Sequence, residues 1–282
     1  MIIQWFSEAF ELGFMQRALL GGLAAVLATS IVGTWIVLRG LTFLGDALAH
    51  GVIPGIALAV LWGFNPLLGA AIAALVMSGL ISLLAERTSI REDTGIGLLF
   101  VGMLSLGVII ISRSSSFSTD VSALLFGDIL GVTRSDISIQ FMAAALVIVI
   151  SVLLYRPFLA LTFNREKAIT LGMHPGFAQA AMLTLLALSI VASFQAIGTL
   201  LVFGLLIAPP ATATLFARRV PLIMLGAAVL GALAVFSGLL ISYYHGTAGG
   251  ATISAMAVAF FFVAVIVKEI TTFIGSKRHA AL

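Results

Sequence analysis

The 282 residues include no cysteine, which excludes disulfides, thiolate metal sites and iron–sulfur clusters. Charge is nearly as scarce. Only 9% of residues are Asp, Glu, Lys or Arg, against about 25% in soluble domains. Such a chain cannot coat a globule with polar surface, and its 61% apolar content and mean hydropathy of +1.23 place it in a membrane. No basic residue precedes Arg17, and no small-residue cleavage site follows a short apolar core, so no secretory leader is expected. The net charge of +3 is scattered among loops and is no footprint for nucleic acid. The polar–apolar alternation of a membrane β-barrel is missing. So are a phosphate-binding glycine loop, a His-Glu-x-x-His motif and a Gly-x-Ser-x-Gly motif. If ATP drives this protein, a separate chain must bind and hydrolyse it, and the chain itself is no enzyme.

What is abundant is long charge-free sequence. Six runs stand out, at residues 18–38, 47–85, 94–112, 137–155, 168–217 and 220–267. A helix needs roughly 20 apolar residues to cross about 30 Å of hydrocarbon, so the runs predict one, two, one, one, two and two spans. The predicted fold is all-α and polytopic, with about nine transmembrane helices in one domain, 1–282. Its membrane core is expected at 13–267 and a tail at 268–282. The double runs are interrupted at Gly63-Phe64-Asn65-Pro66, at Gln195-Ala196-Ile197-Gly198 and at Tyr243 to Gly250. With nine spans, eleven Lys and Arg residues (Arg39, Arg87, Arg91, Arg156, Arg165, Lys167, Arg218, Arg219, Lys268, Lys277, Arg278) collect on one face. Three, Arg17, Arg113 and Arg134, collect on the other. The positive-inside rule then puts the N-terminus outside and the C-terminus in the cytoplasm.

Two loops are long enough for structure of their own. The external one, 113–136, contains an apolar stretch at 121–130, too short to span and expected to form a re-entrant or interfacial helix. The internal one, 156–176, has Pro157 near its start and Pro175 near its end. Within it 165–171 reads as a short polar helix with Asn164 as its cap. It is either a docking surface or an ordinary solvated loop.

Ionisable residues near the hydrocarbon are few enough to consider one by one. Asp46 and His50 are four residues apart and share a helix face. A carboxylate oxygen and an imidazole nitrogen suit Mn²⁺, Fe²⁺ or Zn²⁺. Two ligands make a poor site, but two copies of the chain about a two-fold axis would supply four. The plain alternative is that Asp46 caps the helix and His50 packs in the interior. Pro54 deprives the His50 carbonyl of its helical donor, and Pro209 and Pro210 do the same to Leu205 and Leu206. The proline pair predicts a kink or break midway along the seventh span, either in a transport path or as ordinary packing. His174, His245 and His279 lie in loops or the tail, and Asp120 and Asp128 lie in the external loop.

The stretch Leu38-Arg39-Gly40-Leu41-Thr42-Phe43-Leu44-Gly45-Asp46-Ala47-Leu48-Ala49-His50-Gly51-Val52-Ile53-Pro54-Gly55 resembles the signature of the permease subunits of manganese/zinc/iron ABC importers. Leu125-Phe126-Gly127-Asp128-Ile129-Leu130-Gly131-Val132, Arg165-Glu166-Lys167-Ala168-Ile169-Thr170-Leu171-Gly172-Met173 and the Ala-Pro-Pro-Ala-Thr-Ala core at 208–213 follow in the family's order. Together they cover residues 19–267. Ala49 stands where family members often carry Ser before the histidine.

The resemblance implies a fold similar to the vitamin B12-type ABC importers. It also implies a second permease copy, identical or a similar paralogue, two ATP-binding cassette subunits and an extracytoplasmic metal-binding protein, in a bacterial cytoplasmic membrane. Asp46 and His50 match the family's Asp-x-x-x-His positions and would hold the passing ion. Arg165, Glu166, Lys167, Leu171 and Gly172 match the coupling helix that docks on the ATPase. No permanently bound cofactor is expected, only the transported metal. A proton-coupled secondary transporter would also show an intramembrane Asp and His but would need no ATPase.

Overall fold

Each charge-free run is helical. The first forms α1 (Gly13–Leu38). The second divides into α2 (Phe43–Gly51), α3 (Ile53–Leu61) and α4 (Pro66–Arg87). The third gives α5 (Glu92–Ser112) and the fourth α6 (Arg134–Leu153), followed by α7 (Tyr155–Phe163) and α8 (Arg165–Thr170). The last two give α9 (Pro175–Ile197) and α10 (Thr199–Thr214), then α11 (Val220–His245) and α12 (Gly249–His279). The computed structural model describes residues 8–112, 129–163, 165–170 and 172–279, and no strand occurs among the described residues.

The helices end where the sequence supplies turn chemistry. Gly63, Gly198 and Gly246 have φ of 71°, 80° and 64°, the left-handed region that glycine enters without steric cost. After Gly63, the Asn65 side chain accepts the Leu67 N–H at 2.9 Å and Pro66 takes the first helical position. All three expected interruptions are therefore real.

Among the described residues, eight segments are long and apolar enough to cross a bilayer, with α2 and α3 together making one of them, Phe43–Leu61. The ninth expected crossing is α10. At about 1.5 Å per residue its 16 residues reach roughly 24 Å, short of a full span. It packs against α1, α11 and α12, so its ends meet protein.

α1 is the most buried of the long helices and packs on α6, α9, α10 and α11. Around its Trp35 lie Phe158, Leu44, Leu48, Leu183 and Leu186, all within one apolar cluster. α5, α6 and α12 are buried least and form the outer surface.

Two expectations change. The segment 156–176 is not a loop around one helix, because α7 begins one residue after α6. Pro157 lies in the first turn of α7, where a missing N–H costs nothing. Phe158 is fully buried, edge-on to Trp35 at 5.7 Å. At the other end of the chain, helix α12 runs past Val267 to His279. Of the external stretch, 121–128 lies outside the described residues, and Ile129–Gly131 is one 3₁₀ turn with Ile129 buried.

Before α6, Thr133 and Asp136 form a reciprocal cap: Thr133 Oγ1 accepts the Asp136 N–H at 3.2 Å and Asp136 Oδ2 accepts the Thr133 N–H at 2.9 Å. Thr133→Ala should cost about 1 kcal/mol. The change would be read as a lower melting temperature in detergent, and Thr133→Ser should restore it.

Candidate metal-transport site

Small residues decide which way α2 faces. Gly45 lies against the Leu206 side chain and Gly51 against Met77 Sδ. Leu44, Ala47, Leu48 and Ala49 are buried between them. Phe43, Asp46 and His50 are left on the remaining face, three and four residues apart, and all three are partly open.

There His50 Nε2 stands 3.4 Å from Asp46 Oδ1, with side-chain exposures of 25% and 32%. Asp46 is in the first turn but does not cap the helix: the N-cap is Thr42, with no side-chain bond. Two ligand atoms each about 2.1 Å from a tetrahedral metal stand roughly 3.4 Å apart, so the pair is spaced as two legs of one cation site. No group of three or more His, Asp or Glu occurs among the described residues. Among the described residues, one chain thus brings these two ligands together with no third.

The Phe100 ring of α5 lies edge-on to His50 at 6.1 Å and to Phe43 at 5.4 Å, walling the pair on one side. At Val52 the ladder between α2 and α3 is interrupted, as Pro54 requires, and the His50 carbonyl takes the Val52 N–H instead.

Pro209 and Pro210 do not break their helix, since α10 runs through both. The Leu206 carbonyl that Pro210 deprives of a donor is aimed at Gly33 of α1, where a Cβ would collide with it. Helix interfaces use such Cα–H···O contacts. The buried prolines therefore seat α10 on α1, and the true interruption is upstream at Gly198.

Of the residues matching the coupling helix, Arg165, Glu166 and Lys167 lie in α8, and Leu171 lies outside the described residues. Gly172 has φ of 72° and closes α8: its N–H donates to Ile169 O and that of Met173 to Ala168 O, each at 3.0 Å. Ala168 is buried and Ile169 exposed, so α8 rests on its neighbours through one side and presents the other. His245, at the end of α11, has Nδ1 3.2 Å from Ile241 O and belongs to no group of three or more ligand-type residues among the described residues.

Sequence reasoning missed one polar group. Arg39, at the end of α1, ion-pairs with Glu92 of α5 at 2.9 Å, and Gln179 of α9 donates to the same carboxylate at 2.8 Å. An amide inside the charge-free run 168–217 was the available signal.

Comparison with known proteins agrees with this architecture. The family model described as the ABC 3 transport family matches residues 11–268. The chain is 36% identical to the manganese import system permease protein ScaB of Streptococcus parasanguinis, over 93% of this chain and 94% of that one. It is 32% identical to the chelated iron transport system membrane protein YfeD of Yersinia pestis, over 96% and 91%. Among solved structures, PsaBC of Streptococcus pneumoniae, determined in complex with Fab, superposes with a TM-score of 0.81 at 32% identity, covering 94% of this chain and 95% of that one. A multi-pass membrane permease is the class these features define. The chain belongs to the ABC 3 transport family and is a permease subunit of the metal ABC importers.

Proposed function

We propose that this permease carries a divalent transition metal ion, Mn²⁺, Fe²⁺ or Zn²⁺, into the cell by alternating access between two copies of the chain. Asp46 and His50 of both copies hold the ion briefly. ATP hydrolysed on two separate ATPase subunits, docked at α8, switches which side is open. An extracytoplasmic binding protein delivers the ion at the face of Arg17 and Arg134, and the N-terminus lies on that side.

One observation carries the reading: a carboxylate and an imidazole 3.4 Å apart on a partly open helix face, with no third His, Asp or Glu grouped with them among the described residues. Relatives named for manganese and for chelated iron support the substrate class. Nitrogen and oxygen donors without thiolate favour a hold weak enough to release. The site lies toward the end of the bundle that carries Arg39, which suits an inner gate.

The test is energised uptake of Mn²⁺, Fe²⁺ and Zn²⁺, in mutual competition, by cells expressing the complete system. Native chain and an Asp46→Ala/His50→Ala variant are compared at matched membrane abundance. One metal should accumulate with the native chain and none with the variant. Uptake that survives the variant would remove Asp46 and His50 from the path. No uptake by either chain would overturn the substrate.

A further inference from the structure

The turn between α4 and α5 begins after Glu86-Arg87 and ends at Glu92, and both carboxylates reach α9. Glu86 Oε1 occupies the place where a side chain at Gly176 would stand, at the N-terminus of α9, where unpaired N–H groups and the helix dipole favour an anion. One turn further along α9, Gln179 Nε2 donates to Glu92 Oε1 at 2.8 Å. Arg39 Nη2 donates to both oxygens of Glu92, at 3.1 and 2.9 Å, and Arg39 Nη1 is 3.8 Å from Met182 Sδ on the next turn of α9. The Arg39 side chain is only 9% exposed.

We propose that this clamp couples α9 to the Asp46–His50 helix, with Glu92 as the positioning residue. The proposal rests on the reading of α8 as the ATPase dock and of Asp46–His50 as the cation site.

Three strands of chain meet at the one carboxylate. α9 follows α8 after a short turn closed by Gly172. Arg39 directly precedes Gly40, whose φ of 70° turns the chain toward α2, so Arg39 fixes the foot of the site helix. Glu92 opens α5, and Phe100 follows it on the same helix after eight residues, about 12 Å along the axis. The Phe100 ring covers His50. A displacement of α9 therefore reaches the site both from below and from the side.

The clamp is also suited to being remade. Hydrogen bonds of 2.8–3.1 Å do not survive a shift of an ångström or more. Arg39 is too deeply buried to be left without a carboxylate, so its segment must follow Glu92. Gln179 Oε1 is buried with no hydrogen-bond partner among the described residues, an acceptor available when the clamp rearranges.

The test uses the permease assembled with its ATPase in proteoliposomes, with the delivery protein and Mn²⁺ outside, reading ATP hydrolysis and metal uptake together. Gln179→Leu keeps the volume and the Arg39–Glu92 ion pair but removes the hydrogen bond that ties Glu92 to α9. Its uptake per ATP hydrolysed should fall about tenfold, with hydrolysis and assembly retained. Glu92→Gln should do the same, and the exchange Arg39→Glu/Glu92→Arg should recover part of the ratio lost by either single change. A native uptake-per-ATP ratio in Gln179→Leu, or uptake and hydrolysis falling in proportion, would overturn the clamp as a coupling element. A native complex that moves no Mn²⁺ on ATP would instead overturn the functional reading beneath it.

Discussion

Metal uptake should fall to background in Asp46→Asn, fall to background in His50→Ala, and fall no further in the double variant. The reason is geometric. Oδ1 and Nε2 lie 3.4 Å apart, and if they serve one ion as proposed, the loss of either leaves the other unable to hold it. In an assembly with two-fold symmetry each substitution is made twice, and half of a four-ligand set disappears at once. Removing groups that merely orient a ligand already costs about 10–100-fold in metal affinity, and two direct ligands should cost more. Residues that act on one ion are not additive. The measurement is the initial uptake rate of the preferred metal at matched membrane abundance. Two partial losses that multiply in the double variant would mean that Asp46 and His50 act at different steps.

The second large effect concerns stability. Gly33→Ala should lower the melting temperature of the purified permease, although alanine is ordinarily the better helix former by about 1 kcal/mol. A Cβ at Gly33 would strike the Leu206 carbonyl, and backbone cannot rotate aside as a side chain can. α1 and α10 would have to separate, and overpacking of this kind costs typically ~1–3 kcal/mol. Gly79 and Gly102 supply the contrast, since a Cβ at either meets nothing within 4 Å. Gly79→Ala and Gly102→Ala should be neutral or stabilising, by up to about 1 kcal/mol. The three variants, melted side by side in one detergent, should differ in sign. A stabilised Gly33→Ala would refute the close seating of the two helices.

Much of this architecture is legible in the chain because charge is so rare in it. Interruptions such as Gly198 carry their own turn chemistry, so the breaks within the long apolar runs follow from local sequence. The Asp46–His50 pair is legible for the same reason, being four residues apart on one helix. Partners distant in sequence are not. Arg39 and Glu92 are separated by 53 positions and Glu92 and Gln179 by 87, and nothing local in any of them names the others. Pro209 and Pro210 announce two orphaned carbonyls, but only the fold shows that Leu206 turns its own toward Gly33. Pro157 misleads because proline ends helices and also begins them, and α7 uses it in the second way.

The interruption at Val52 has a mechanical consequence. The span that carries Asp46 and His50 is two nine-residue rods joined at a single residue. The far rod is immobilised, because α3 and α4 approach so closely that a Cβ at Gly55 would strike the Gly69 carbonyl, and the reverse holds as well. The near rod, about 13 Å long at 1.5 Å per residue, follows Arg39 and Gly40 at its foot and meets the far rod at Val52, where the ladder is interrupted. A tilt of about 10° would sweep its foot through roughly 2 Å, as much as the whole length of a metal–ligand bond. If Asp46 and His50 hold the ion as proposed, bending at Val52 would give a stroke matched to opening and closing that grip.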